Sequence, residues 1–532
     1  MIQALPSMSA DTRENAISLA MVYYANSLGK YIMGLSPDIK KTVELWSKEP
    51  DGQNSFTSSL AKNPELRDIL LNETPWVGAA DKEESQKRSI ANFFDSDRIN
   101  AQMEKALDKL YKLQLPDGSW AWWEGMKGSP YITTAVSEML VRLGRMTGGK
   151  QPFLRMINSA FQFTDNYLVD EEKTLKEWEK KGHSARPSET AINILYNYAI
   201  DQRQIPEKLT GTVDYLINLF EKRSKEFTIY GKARAAVVLA YFGKTEKAAE
   251  YMQSIEEYSV ATEEMGRYFD TRSAYYSWCS YNIPTEVAAI EAYKMLKPND
   301  IQVVNEMRRW LLQQKRAQMW NSPINSVDAV YAFLEGNMES LETGEMATLS
   351  IDGNTLQTSE ATAGLGYVKT AVDAEGKKSF EAAKTTQGTS WGALYAQFTQ
   401  NTADVEDYSA ALSVKREIIH EGNELKVGDR VVVRITVKAE RDLDFVEVID
   451  RRAACMEPIS QRSGYAGGYY IATKDYTTTF YFNRMAKGTH VMEKAYYVDR
   501  EGTYQTGTCK AQCAYAPEYS ATGKALNIVV KK

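Results

Sequence analysis

Chemistry that depends on a nucleophile and a base would show as a few residue types at fixed spacing. This chain offers little of that kind. Its three histidines, His183, His420 and His490, stand in unrelated contexts, and none has a Ser or Cys partner at motif spacing. His183 lies in the polar string Lys180-Lys181-Gly182-His183-Ser184, where exposure to solvent is a simpler reading than metal ligation. Asp117, Glu124 and Glu138 fall near Trp120, Trp122 and Trp123. A glycosidase would use two such carboxylates across a groove, with indole rings as a sugar platform. With 70 acidic residues such neighbours arise by chance, and a tryptophan cluster more often braces a core. The Gly-rich string Ser463 to Tyr476 has neither phosphate-loop spacing nor a following helix, and reads as a loop between strands. The charge run Val169 to Lys181 reads as a solvated helix face. No residue is therefore assigned a catalytic role, and no cofactor or metal is expected.

The tryptophans sit beside a tight turn. In Gln114-Leu115-Pro116-Asp117-Gly118-Ser119-Trp120, Pro116 fixes one dihedral and Gly118 tolerates positive φ. Gln114 can cap backbone groups before the turn, and Trp120 can stack across it. The stretch resembles the QW motif with which terpenoid cyclases brace their α/α toroids, where it is structural. The Asp-X-Asp-Asp acid of class II cyclases and the aspartate-rich metal motif of class I are both missing. The zinc set of the related protein prenyltransferases is not matched either, since the helical half has one Cys, Cys279, and one His, His183.

The elements that must position these residues change character along the chain. At 532 residues, two or more domains are expected. Apolar residues are 43% and charged residues 25%, both globular values, and the net charge of −6 gives no nucleic-acid footprint. Up to about Leu341 the spacing predicts short helices joined by polar loops. Ser188 caps a helix whose stripe is Ala191, Ile194, Leu195 and Tyr198. Another spans Lys232 to Phe242. Thr245 and Thr285 cap two more, and Ile301 to Gln314 forms a further one. Helices so joined pack antiparallel, which suggests an α/α toroid or a solenoid, with no crisp repeat. After Met346, Ile351-Asp352-Gly353-Asn354 and Glu375-Gly376 signal hairpins. From Asp404, short strands recur: Val431 to Lys438, Leu443 to Ile449, Thr477 to Phe482, His490 to Val498 and Leu526 to Val530. That spacing predicts an antiparallel β-sandwich. Cys455, Cys509 and Cys513 leave two readings open, a disulfide among them or buried free thiols.

Four stretches together carry a family resemblance: Tyr23 to Ile32, Leu113 to Gly144, Arg308 to Glu335 and Thr489 to Gly523. Their order resembles the C-terminal part of bacterial α2-macroglobulin-like proteins, which belong to the complement-like thioester proteins and inhibit endopeptidases. The resemblance implies three domains: an α/α-toroid thioester-type domain at 1–341, a partial CUB-like β segment at 342–403, and a macroglobulin-type β-sandwich at 404–532. The family's chemistry is a Cys-X-Glu-Gln thioester that traps proteases after bait cleavage. Ungapped alignment on Tyr23-Tyr24-Ala25-Asn26 puts Asn15, Ala16, Ile17 and Ser18 at that position, with Asn15 for the Cys and Ser18 for the Gln. Without the sulfur no thioester forms.

The implied protein is thus a non-catalytic protease-trapping or envelope-defence scaffold without covalent chemistry. Its implied partners are proteases of host or competing cells, and upstream macroglobulin domains of the parent protein. Taken at face value the N-terminus has no signal peptide, and no apolar run is long enough to cross a bilayer. The chain is nonetheless expected to be a piece of a longer protein. The resemblance places that parent in a bacterial cell envelope, in the periplasm or at the surface. No bait region is legible. Two competitors remain: an α/α-toroid enzyme acting on a polysaccharide or polyprenyl substrate, and an adhesion or binding module.

Overall fold

In the computed structural model the described residues are 4–35, 86–148, 151–222, 224–262, 266–269, 282–314, 320, 322–336, 347–357, 372–373, 375–385, 392, 394, 400–514 and 519–532. Cys279 lies outside them. They divide into two compact units, one comprising 4–35 with 86–385 and the other 392–532.

The first unit is helical. Its helices are α1 (Ala4–Ser9), α2 (Ala16–Leu35), α3 (Gln86–Phe93), α4 (Ser96–Leu113), α5 (Pro130–Thr147), α6 (Leu154–Lys180), α7 (Glu189–Asp201), α8 (Thr210–Lys222), α9 (Ile229–Tyr241), α10 (Thr245–Tyr258), α11 (Asn282–Leu296), α12 (Ile301–Gln313) and α13 (Pro323–Leu334). Two burial patterns separate them. On α4 only Ile99, Ala106 and Leu110 are buried, and on α10 only Ala248, Tyr251, Met252 and Ile255, each a single stripe. On α7 every residue from Ala191 to Ile200 is buried, on α9 every residue from Ile229 to Leu239, and on α13 every residue from Asn325 to Leu334. A helix buried all round needs neighbours all round.

The packing supplies them. Helices α2, α5, α7, α9, α11 and α13 each contact the next, and α13 returns to α2 and closes the ring. The intervening helices lie outside it, α4 on α2, α6 on α5, α10 on α9 and α12 on α11. This is an α/α toroid. Two helix starts differ from the sequence reading. Thr245 is the first residue of α10, and Lys244 precedes it without a side-chain cap. Helix α11 begins at Asn282, so Thr285 lies inside it. Pro284 supports the earlier start, because proline is accommodated in a first turn where its missing N–H has no partner to lose. A short hairpin, β1 (Val260–Thr262) with β2 (Gly266–Tyr268), interrupts the helices. Ser188 does cap α7, accepting the Ala191 amide at 3.1 Å.

A small sheet follows: β3 (Thr348–Ile351), β4 (Asn354–Thr355) and β5 (Phe380–Ala383), in the order β4-β3-β5. Asp352 and Gly353 both have positive φ, 48° and 78°, as the tight β3–β4 turn requires.

The second unit is all β. Its strands are β6 (Tyr408–Ser409), β7 (Leu412–His420), β8 (Leu425–Lys426), β9 (Arg430–Ala439), β10 (Leu443–Arg451), β11 (Met456–Pro458), β12 (Gly464–Ala466), β13 (Tyr469–Thr473), β14 (Thr477–Met485), β15 (Gly488–Val498), β16 (Gly502–Gln505), β17 (Cys509–Cys513), β18 (Ser520–Gly523) and β19 (Asn527–Lys531). One antiparallel sheet runs β12-β13-β14-β10-β17-β18-β6 and a second runs β11-β15-β9-β7. A third, β16-β19-β8, includes the parallel pair β19–β8. Alternation sets the core: Val431, Val433, Ile435 and Val437 of β9 are buried, while Arg430, Arg434 and Lys438 face water. Met492 and Tyr496 of β15 are buried from the paired strand.

Candidate functional site

The stretch that the sequence resemblance sets at a thioester position, Asn15 to Ser18, is the start of α2. Asn15 Oδ1 accepts the Ser18 amide at 3.0 Å, and the Asn15 carbonyl accepts the Leu19 amide at 3.0 Å. These are the bonds of a helix N-cap, which satisfy donors that the first turn leaves open. Ala16 and Ser18 are buried, and Ile17 is half-buried. Just upstream, Asp11 takes the Arg13 guanidinium at 2.6 Å. Burial works against the Asp11 charge, but the Arg13 bonds outweigh it and hold the carboxyl below its usual range. The group at residue 15 is an amide engaged in capping, which offers no thiol for acyl transfer. Downstream, Asn26 Nδ2 donates to Ser9 Oγ at 2.9 Å and ties α1 to α2. Tyr24 donates to Met146 Sδ at 3.2 Å.

The three tryptophans separate. Trp120 is 0% exposed, whereas Trp122 is 46% and Trp123 67% exposed. Trp120 Nε1 donates to the Leu110 carbonyl at 3.0 Å, and its backbone amide donates to Thr133 Oγ1 at 2.9 Å, so one residue joins the end of α4 to the start of α5. Gln114 Nε2 donates to the Gly118 and Met156 carbonyls, each at 2.9 Å. Gly118 has φ +90°, and a Cβ there would lie 2.1 Å from the Ser159 carbonyl oxygen, so only glycine fits. Trp122 stacks on Tyr131 at 5.6 Å.

The same device recurs before α13, where no repeat was legible in the sequence. Trp320 Nε1 donates to the Leu311 carbonyl at 3.2 Å. Ser129 and Ser322 are the N-caps of α5 and α13, and each is followed by Pro at the first helical position. Thr133 and Ser326, each four residues past its cap, approach the preceding Trp carbonyl at 3.4 Å. The signal is Ser-Pro-x-x-Ser/Thr after a Trp, but the two tryptophans precede it by different distances, which hides the repeat.

Sequence reasoning missed the largest charged cluster, at the centre of the ring. Arg142 of α5 binds Glu138 at 2.8 Å, Glu291 of α11 at 2.6 Å, and Asp328 of α13. Arg234 of α9 grips both oxygens of Glu138 at 2.6 and 2.7 Å, and its guanidinium lies 4.4 Å over the Tyr196 ring of α7. Burial opposes the Glu138 charge, but Arg142 and Arg234 outweigh it and hold that carboxyl below its usual range. Asp328 responds the other way: burial pushes it up to about 6, against the pull of Arg142. Asp328 is the one charge of its helix, set in Ser326-Val327-Asp328-Ala329-Val330, and that is the signal which could have found the cluster.

These placements bear on the carboxylates weighed for hydrolysis. Glu138 is locked to two guanidinium groups, Asp117 accepts the Ser119 amide at 3.0 Å within the turn, and Glu124 is exposed. The three are not brought together. His183 is exposed, His420 Nδ1 pairs with the Glu421 carbonyl at 3.3 Å, and His490 Nε2 with the Ala486 carbonyl at 2.7 Å. Cys455, Cys509 and Cys513 are buried and none is in a disulfide, and burial pushes the Cys509 thiol well up. Among the described residues, no group of three or more His, Cys, Asp or Glu is arranged to hold a metal, and no helix is long and apolar enough to cross a membrane.

Residues 399–518 match the family model of the bacterial alpha-2-macroglobulin MG10 domain. Among solved structures, trypsin-activated alpha-2-macroglobulin from Escherichia coli is similar at 14% identity and TM-score 0.42, covering 82% of this chain and 30% of that one. The native Escherichia coli protein from domain MG7 to the C-terminus gives 14% and 0.33, covering 93% and 75%. Salmonella alpha-2-macroglobulin reacted with methylamine gives 15% and 0.31, covering 95% and 31%. The chain thus spans 30% of the length of the first of these. A search of curated proteins finds no match.

Proposed function

We infer that this α2-macroglobulin-like chain, whose residues 399–518 match the MG10 domain, is the C-terminal part of a bacterial envelope protein that engages proteases without covalent capture. In this reading the toroid at 1–341 is a scaffold and contact surface, the β segment at 342–403 connects it onward, and the sandwich at 404–532 is the macroglobulin-type module. The carrying observation is Asn15. Its side chain caps α2 where the family's reactive Cys would stand, and its amide oxygen is committed to the Ser18 N–H at 3.0 Å. A thioester needs a sulfur acylated by a nearby carboxamide, and an Asn–Ser pair can form no such bond.

The test is methylamine treatment of the full chain followed by intact-mass and free-thiol measurement. The expected result is an unchanged mass and no new thiol. A methylamine adduct with release of a thiol overturns the reading. In parallel, a protease incubated with the parent protein should leave no complex that survives boiling in detergent.

A further inference from the structure

The cluster at the ring's centre has an arithmetic that its geometry cannot balance. Three carboxylates, Glu138, Glu291 and Asp328, meet two guanidinium groups, Arg142 and Arg234, and all five residues are buried. Arg142 alone contacts all three carboxylates, through both terminal nitrogens. Its Nε, the Nε of Arg234, Glu291 Oε1 and the Tyr196 hydroxyl have no hydrogen-bond partner among the described residues. A lone surplus charge so far from water is strongly disfavoured, and a buried carboxyl sheds that charge most readily by binding a proton.

The groups around Asp328 allow no other remedy. From α2 comes Tyr24, and from α5 Glu138, Arg142 and Arg145. Helix α7 gives Tyr196, α9 gives Arg234, and α11 gives Glu291 and Lys294. Helix α12 gives Arg308, while α1 carries no titratable group. On α13 itself lies Tyr331, over whose ring the Arg142 guanidinium sits at 4.9 Å. The remaining cations are spoken for elsewhere. Lys294 and Arg145 bind Glu335 just past the end of α13, and Arg308 donates to the Ala332 carbonyl at 2.9 Å. Glu335 is two turns from Asp328, roughly 10 Å along the axis.

We propose that this cluster is a proton-operated latch: Asp328, facing two further carboxylates, holds a proton, and losing it loosens the seam where α13 closes the ring on α2 and α5. The direction follows from the sign of the linkage. A carboxyl that binds its proton more tightly in the closed ring than in the open chain stabilises closure in mild acid. That stabilisation is lost as the pH rises through the closed-ring value, which burial pushes up to about 6 for Asp328. The latch therefore tightens on acidification, opposite to an ordinary salt bridge. It is independent of the protease-engaging reading.

The test is amide hydrogen exchange of α13 in the full chain, corrected for intrinsic rate, with β9 and β15 as the internal reference. It is made in a Glu286→Gln background, because Glu286 is a second buried acid of α11 that burial pushes well up on its own. From pH 5 to pH 7 the protection of α13 should fall about tenfold relative to the reference, as one bound proton is lost. Asp328→Asn should flatten the profile and give at pH 7 the protection that the parent has at pH 5. Glu291→Gln, which also brings the charges to two against two, should flatten it as well. A parent profile already flat overturns the latch. So does a slope that survives in whichever of the two variants folds.

Discussion

Arg142 in the helical ring and Arg416 in the β-sandwich are both buried guanidinium groups, and their surroundings differ in kind. Arg416 of β7 meets one carboxylate, Asp450 of β10, at 2.8 Å. Its other bonds go to neutral oxygens: Thr506 Oγ1 at 2.5 Å and the Gly507, Lys524 and Arg451 carbonyls at 2.7, 3.0 and 3.3 Å. One charge meets one charge, and dipoles fill the rest of the shell except at Nε, which has no hydrogen-bond partner among the described residues. Arg142 meets three carboxylates. The sandwich can use fixed dipoles because the loops beside β16, β17 and β19 turn carbonyls inward. Around Arg142 the ring supplies side-chain carboxylates instead, since most mid-helix carbonyls are spent within the helices. Side chains must do the solvating there, and side chains that bind a cation well are themselves charged. The ring's core is therefore tied to protonation in a way that the sandwich's core is not.

The largest expected effect comes from removing the ring's hub. Arg142→Met leaves three buried carboxylates with only Arg234, and should destabilise the ring by about 5 kcal/mol or more. Circular dichroism should show lost helix while exchange in β9 and β15 stays protected. Arg416→Met strips the sandwich of one charge and should cost about 3–5 kcal/mol, read from the denaturant midpoint of the β-rich transition. Adding Asp450→Leu should recover most of that loss, because both ionic partners are then gone. If the double variant is no better than the single, the sandwich cluster is not the balanced pair described here. Trp120→Ala should cost about 3–5 kcal/mol in the same denaturation experiment. Trp123→Ala, its exposed neighbour, should stay within about 0.5 kcal/mol.

Legibility in the sequence followed the strength of local pattern. The β9 strand was plain, because Val431, Val433, Ile435 and Val437 alternate with polar residues. Helices existed where periodicity put them, yet the stripe drawn on α7 understated the burial. Asn193 and Asn197 lie outside that stripe, but Asn197 Nδ2 donates to the Thr134 carbonyl at 3.0 Å and Asn193 Oδ1 accepts from Arg234 at 3.1 Å. Periodicity reports which residues are apolar, and a polar residue with a buried partner is invisible to it. The charged cluster escaped for that reason, its members coming from four helices far apart in the chain. The start of α2 was located by resemblance alone. Nothing local in Asn15 to Ser18 distinguishes it from any other helix cap.

Closure of the ring by α13 against α2 bears on how the chain is made. Helix α2 leaves the ribosome before the other inner helices of the ring, with Leu19, Val22, Tyr23 and Ile32 destined for burial. The helix that completes its enclosure is Pro323–Leu334, which follows the rest of the ring. At about 5–20 residues per second, that interval is on the order of tens of seconds. Throughout it the apolar flank of α2 stays open to any chaperone or neighbouring nascent chain that reaches it first.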